Sequence, residues 1–98
     1  MRVISRKTLV EFGEKEGPEV RKALATWLSI TKAARWKNPT DVKTFHPTAS
    51  IISNNRVVFN ILGGRYRLVV AIHYSSSIVF IRFVGTHTAY NGVDATTV

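Results

Sequence analysis

Between Arg56 and Gly85 the chain passes through three stretches of β-branched and aromatic residues, interrupted only by Gly63-Gly64 and Ser75-Ser76-Ser77. Such stretches suit a pleated surface and the interruptions are turn signals, so this part predicts antiparallel strands joined by short hairpins. Within it, Tyr66, Leu68, Val70, Ile72 and Tyr74 alternate with Arg65, Arg67 and His73, the period of a strand with one buried face. Residues 78–84 are almost continuously apolar and read as a central strand covered on both sides.

The preceding half has a different period. Val20, Leu24, Trp27, Leu28 and Thr31 recur at helical spacing, with Arg21, Lys22, Lys32 and Arg35 away from them. Upstream, Ser5 offers an N-cap, Leu9 and Phe12 lie three apart, and Gly17-Pro18 ends one helix and opens the next. Gly13 weakens the end of the first. Asn38-Pro39 closes the second, Thr40-Asp41 begins a short turn carrying Lys43, and His46-Pro47 breaks the chain again. Trp27 and Trp36 read as packing residues, His46 and His73 as structural or surface ones. Val3-Ile4 reads as a short opening strand, Thr86 as the cap of a helical turn holding His87 and Tyr90, and the residues after Gly92 as a frayed tail. The expected architecture is α+β: two N-terminal helices packed on a three- to four-stranded antiparallel sheet, with a short C-terminal helical turn. Ninety-eight residues fit one domain, 1–98.

Charge narrows the function. Fourteen Lys and Arg face six Asp and Glu, for a net +8. Four of the acids, Glu11, Glu14, Glu16 and Glu19, fall close together, whereas from Val20 to Tyr90 ten basic residues accompany the single acid Asp41. A field of that sign attracts polyanions. No helix pairs a broad apolar face with a lysine-rich one, so a nucleic acid is a better partner than a membrane. Charges interrupt every apolar run and no signal core opens the chain, which makes a cytoplasmic protein the expectation. Without cysteine there is no disulfide, thiolate nucleophile or cysteine-based zinc site.

The chemistry expected is metal-free, with no cofactor. Asp41 and Asp94, the only acids beyond the glutamate-rich stretch, are far apart, and His46, His73 and His87 lack ligand spacing. RNA carries its own nucleophile, the 2′-hydroxyl. A protein that cuts it needs a base, an acid and cations for the charged phosphorane, which His, Tyr, Lys and Arg can supply. Residues 82–90 hold that set. His87 and Tyr90 are three apart, so a helical turn puts them on one side, while Gly85 lets the backbone turn sharply. Arg65 and Arg67 are expected to share a strand face beside Arg82.

The blocks Val58-Phe59-Asn60-Ile61, Gly64-Arg65-Tyr66-Arg67-Leu68-Val69 and Val79-Phe80-Ile81-Arg82-Phe83-Val84-Gly85-Thr86-His87, followed by Tyr90, closely resemble the HigB-type toxins of the RelE-like group. Trp36-Lys37-Asn38-Pro39, Asp41-Val42-Lys43 and Ile4-Ser5 are similar to that family as well. The resemblance implies a type II toxin that cleaves mRNA on the translating ribosome and is neutralised by a HigA-type helix-turn-helix antitoxin in a toxin–antitoxin hetero-oligomer. It points to Arg82, His87 and Tyr90 for catalysis, and to Arg65, Arg67, Lys43 and Asn60 for RNA binding. The family commonly reads His-x-Glu-Tyr-Asp around the last tyrosine, where this chain has Ala89 and Asn91. That departure leaves proton transfer to His87, or shifts the work toward charge stabilisation by arginines. The other reading of the same scaffold is a non-catalytic RNA- or ribosome-binding module.

Overall fold

A computed structural model describes all 98 residues. Its elements in chain order are β1 (Arg2–Ile4), α1 (Arg6–Glu16), α2 (Pro18–Ala33), α3 (Pro39–Phe45), β2 (Ser50–Ile52), β3 (Arg56–Ile61), β4 (Tyr66–His73), β5 (Ile78–Thr86) and α4 (His87–Tyr90). The strands form one sheet in the order β1-β5-β4-β3-β2. The fold is α+β as expected, with more strands than anticipated. β2 pairs antiparallel with β3, and β1 lies parallel beside β5, so the sheet is mixed. The expected turn around Lys43 is a true helix, α3. Its cap is Asn38, whose side chain accepts from the Asp41 amide at 3.0 Å, with Pro39 opening the helix.

Helices α1 and α2 form a hairpin across Gly17, whose φ of 116° suits glycine, and Pro18 starts α2 as expected. Ser5 precedes α1 but makes no side-chain cap. Gly13 does more than weaken a helix end. A Cβ there would stand 2.9 Å from the Arg21 Cα, so its absence lets the two helices approach closely. One face of α2, Val20, Leu24, Trp27 and Thr31, is buried, as helical spacing requires.

The two faces of the sheet differ. Val57, Phe59, Ile61, Leu68, Val70, Ile72, Val79 and Ile81 point toward the helices and join Trp27 and Trp36 in the main core. Trp36 is stacked on Phe59, and Trp27 meets the same ring edge-on at 5.3 Å. On the opposite face Val58, Val69 and Ala95 form a small second cluster with Ile52, Phe83, Tyr90 and Val98 around it.

That second cluster corrects the expectation of a frayed tail. Residues 92–98 fold back over the sheet. Asp94 accepts from the amide and hydroxyl of Thr96, Asn54 donates to the Thr96 carbonyl at 3.0 Å, and Ala95 is buried. A tail with this many partners is part of the fold.

Candidate functional site

The face away from the helices carries most of the candidate residues, and strand register explains why. Asn60 on β3 pairs with Arg67 on β4, which pairs with Gly85 on β5, so the three stand in one row. The guanidinium of Arg67 donates to the Asn60 side-chain oxygen and lies over the Tyr90 ring, 5.7 Å from its centre. Asn60 also donates to the Thr48 carbonyl at 3.4 Å, a long contact that ties the row to the loop before β2.

Arg82 and Phe83, adjacent in the chain, share this face because of a bulge. Val69 pairs with Phe83 but Val70 pairs with Ile81, so Arg82 is the extra residue. Bulges redirect side chains. Ile81 and Val84 pack into the main core, whereas Phe83 joins the second cluster and Arg82 donates from Nε to the Val98 main-chain oxygen at 2.8 Å. The Phe83 and Tyr90 rings are 6.5 Å apart. The space over Gly85 is filled: a Cβ there would fall 2.7 Å from the tip of Phe83 and 3.4 Å from Ala89.

His87 opens α4, which the Thr86 hydroxyl caps by accepting from the Ala89 amide at 3.1 Å, as expected. The His87 amide donates to the Arg65 carbonyl at 2.9 Å, fixing this residue's backbone to the β3–β4 turn. Its side chain is exposed and makes no hydrogen bond within the chain. The imidazole is thus anchored by its backbone and open to a ligand.

Two other candidates sit differently. Arg65 does not share a strand face with Arg67. Leu62, Gly63 and Gly64 all take positive φ in the turn, β4 starts only at Tyr66, and Arg65 swings toward the helix side to meet Glu19 at 3.8 Å. Both partners of that ion pair are largely exposed, so it is weak. Lys43 on α3 donates to the carbonyls of Pro47 at 2.8 Å and Ala49 at 2.9 Å, which bracket Thr48. It braces the loop that Asn60 touches and does not itself reach the Arg67–Tyr90 row.

The residue passed over by sequence reasoning is Arg56. It pairs with Ala71 on the same face and donates from Nη2 to the Val98 oxygen at 2.7 Å, beside Arg82. The signal available was its position just after Asn54-Asn55, a hairpin turn in which both asparagines take positive φ. His46 and His73 stand apart from the site. His46 packs edge-on against Phe59 at 4.9 Å and Trp36 at 5.9 Å, and burial lowers its pKa below 6.5. His73 is exposed beside Phe80.

No three His, Cys, Asp or Glu residues come together in a way that could hold a metal ion. No helix is long and apolar enough to cross a membrane. None of the larger grooves opens on the arginine-bearing face. A groove of about 440 Å³ between α2 and β3, lined by Trp27, Ile30, His46 and Leu62 among others, meets the candidate residues only at Asn60.

Among curated proteins, no sequence matches the chain closely enough to count as a relative. The family model described as HigB_toxin, the RelE-like toxic component of a toxin-antitoxin system, matches residues 20–93, a span that runs from α2 through α4 and includes every candidate residue. With helices on one side of the sheet and a polar row on the other, the chain belongs to the RelE-like HigB toxin family, the toxic component of a toxin–antitoxin system.

Proposed function

We propose that this toxin, as one domain spanning residues 1–98, is a metal-independent endoribonuclease that cleaves mRNA on the translating ribosome in the cytoplasm. A HigA-type helix-turn-helix antitoxin is the partner that silences it, in a toxin–antitoxin hetero-oligomer. The observation that carries the reading is the convergence of Asn60, Arg67, Tyr90 and Arg82 on one sheet face, beside the open imidazole of His87.

In this reading the RNA 2′-oxygen attacks the adjacent phosphorus, its proton passing to a base as the new O–P bond forms. The bond from phosphorus to the 5′-oxygen then breaks, and that oxygen takes a proton. Imidazole is the side chain that gives and takes protons near neutral pH, so His87 is assigned proton transfer. Arg82 faces the charge that builds on the phosphorane, and Tyr90 completes the catalytic set, its ring steadying Arg67. Arg67 and Asn60 bind the RNA backbone, with Arg65 and Lys43 at its margins. The Arg65–Glu19 pair is exposed enough to be exchanged for a phosphate.

One observation favours the second reading, a binder without cleavage. Tyr90 is flanked by Ala89 and Asn91, so no carboxylate stands beside it to serve as base or to orient His87. The end groups of RNA recovered from a translating extract decide between them. A 2′,3′-cyclic phosphate or 3′-phosphate on the upstream fragment is expected. A 3′-hydroxyl overturns the mechanism, and intact RNA leaves the binder.

A further inference from the structure

Arg56 and Arg82 approach one acceptor from two strands. The Val98 main-chain oxygen receives Arg56 Nη2 at 2.7 Å and Arg82 Nε at 2.8 Å. Neither arginine pairs with an Asp or Glu side chain, since the ion pairs of the chain are Lys7–Glu11 and Arg65–Glu19. Arg56 otherwise donates only to the Asn54 carbonyl, at 3.0 Å, and its Nε is buried without an acceptor. Each guanidinium carries five donors, and a single oxygen satisfies few of them. A phosphodiester offers two charged non-bridging oxygens, and arginine pairs with such groups through its planar fork.

The surroundings are those of a covered site. Val98, like Ile52 and Phe83, packs against the cluster of Val58, Val69 and Ala95, and Ala95 seats residues 92–98 on Val58 and Val69. The segment contributes only Ala95 and Val98 to this packing, a small cluster apart from the main core, and limited apolar contact of this kind favours local opening.

We propose that Arg56 and Arg82 form a binding site for an RNA phosphate, and that residues 92–98 occupy it as a strap which the RNA backbone displaces. Arg56 thereby becomes an RNA-binding residue, on the same strand as Asn60 but at its other end. This rests on the reading of the chain as an RNA-binding toxin. A site open in only a fraction of molecules binds with an affinity reduced by that fraction. The strap therefore weakens RNA binding by the toxin and holds Arg82, the arginine assigned to the phosphorane.

The test uses the full chain and an oligonucleotide with 2′-deoxy sugars throughout, which cannot be cleaved and so reports binding apart from catalysis. Arg56→Ala should weaken binding and reduce the slope of log K against log salt by about 0.7, the value for one lost single-strand phosphate contact. Ala95→Gln, which cannot seat in the small cluster, should strengthen binding by about three- to tenfold as the open fraction rises. In the wild-type chain, the Thr97 and Val98 amides, both hydrogen-bonded to the Asp94 carbonyl, should exchange faster with solvent when the oligonucleotide binds. Unchanged affinity and slope in Arg56→Ala overturn the phosphate site. Unchanged or slower exchange at Thr97 and Val98 overturns the strap, whatever the folding of the Ala95 variant. Release of the strap by an acidic peptide in place of the oligonucleotide also overturns the assignment, since the site would then belong to a protein partner. Binding as described with no cleavage of ribosomal mRNA would leave the site standing and remove the nuclease reading.

Discussion

Arg67 lies over the ring of Tyr90, its guanidinium carbon 5.7 Å from the ring centre. The face of an aromatic ring attracts a cation through its quadrupole, and phenylalanine presents nearly the same face as tyrosine. Tyr90→Phe should therefore keep RNA binding, while Tyr90→Ala should weaken it by about 0.5–1 kcal/mol, a cost of two- to fivefold. The affinity of an uncleavable oligonucleotide checks this. Equal loss in both variants would mean that the hydroxyl, not the ring, matters for binding.

His87 separates nuclease from binder. Replacing a general acid or base typically costs about 10²–10⁴ in rate. His87→Ala and His87→Gln should both lose cleavage in a translating extract by that factor and keep oligonucleotide affinity. Because the imidazole is exposed and only the backbone of His87 is bonded to Arg65, neither change should lower thermal stability. Cleavage by His87→Gln at the wild-type rate would place proton transfer elsewhere.

The helix hairpin depends on the missing side chain at Gly13. Alanine is normally the better helix former, but here its methyl would stand 2.9 Å from the Arg21 Cα. Overpacking of this kind costs about 1–3 kcal/mol. Urea denaturation of Gly13→Ala should show that loss. A gain in stability would mean that α1 can shift without penalty.

His46 predicts a pH dependence of stability. Burial lowers its pKa in the folded protein below the ordinary 6.5, with Nε2 buried and without a hydrogen-bond partner. As pH falls through 6.5, the unfolded chain takes up the proton first, so folding becomes less favourable until the lowered folded-state pKa is passed. Above 6.5 the group is neutral in both states and contributes no slope. Chemical denaturation between pH 7 and the lowered pKa should show the decline, and His46→Gln should flatten it.

How much was legible in the residues follows from the range of the forces involved. The spacing of Val20, Leu24, Trp27 and Thr31 announces α2, and the three β-branched stretches announce β3, β4 and β5, because those patterns are local. β2 escaped because three residues hold no pattern, although Asn54-Asn55 was a turn signal for it. The tail was misjudged because its order comes from Asn54, Arg56 and Arg82, all distant along the chain. At the site, placing Arg67 beside Asn60 follows from hairpin register. Arg65 was assigned to the same face because alternation was carried one residue too far into the turn.

The bulge at Arg82 turns the length of β5 into information. Substitutions along this strand change one side chain at a time, whereas removing Arg82 itself would restore regular alternation with Ile81 still facing the helices and Phe83 still facing away from them. Phe83 would keep the surface it shares with Tyr90, and only the arginine beside it would be gone. The bulge thus concentrates the consequence of spacing on one side chain: in a deletion scan across residues 79–85, loss of Arg82 should preserve the fold while removing the arginine, whereas loss of Ile81 would draw Arg82 into the position opposite Val70, facing the helices.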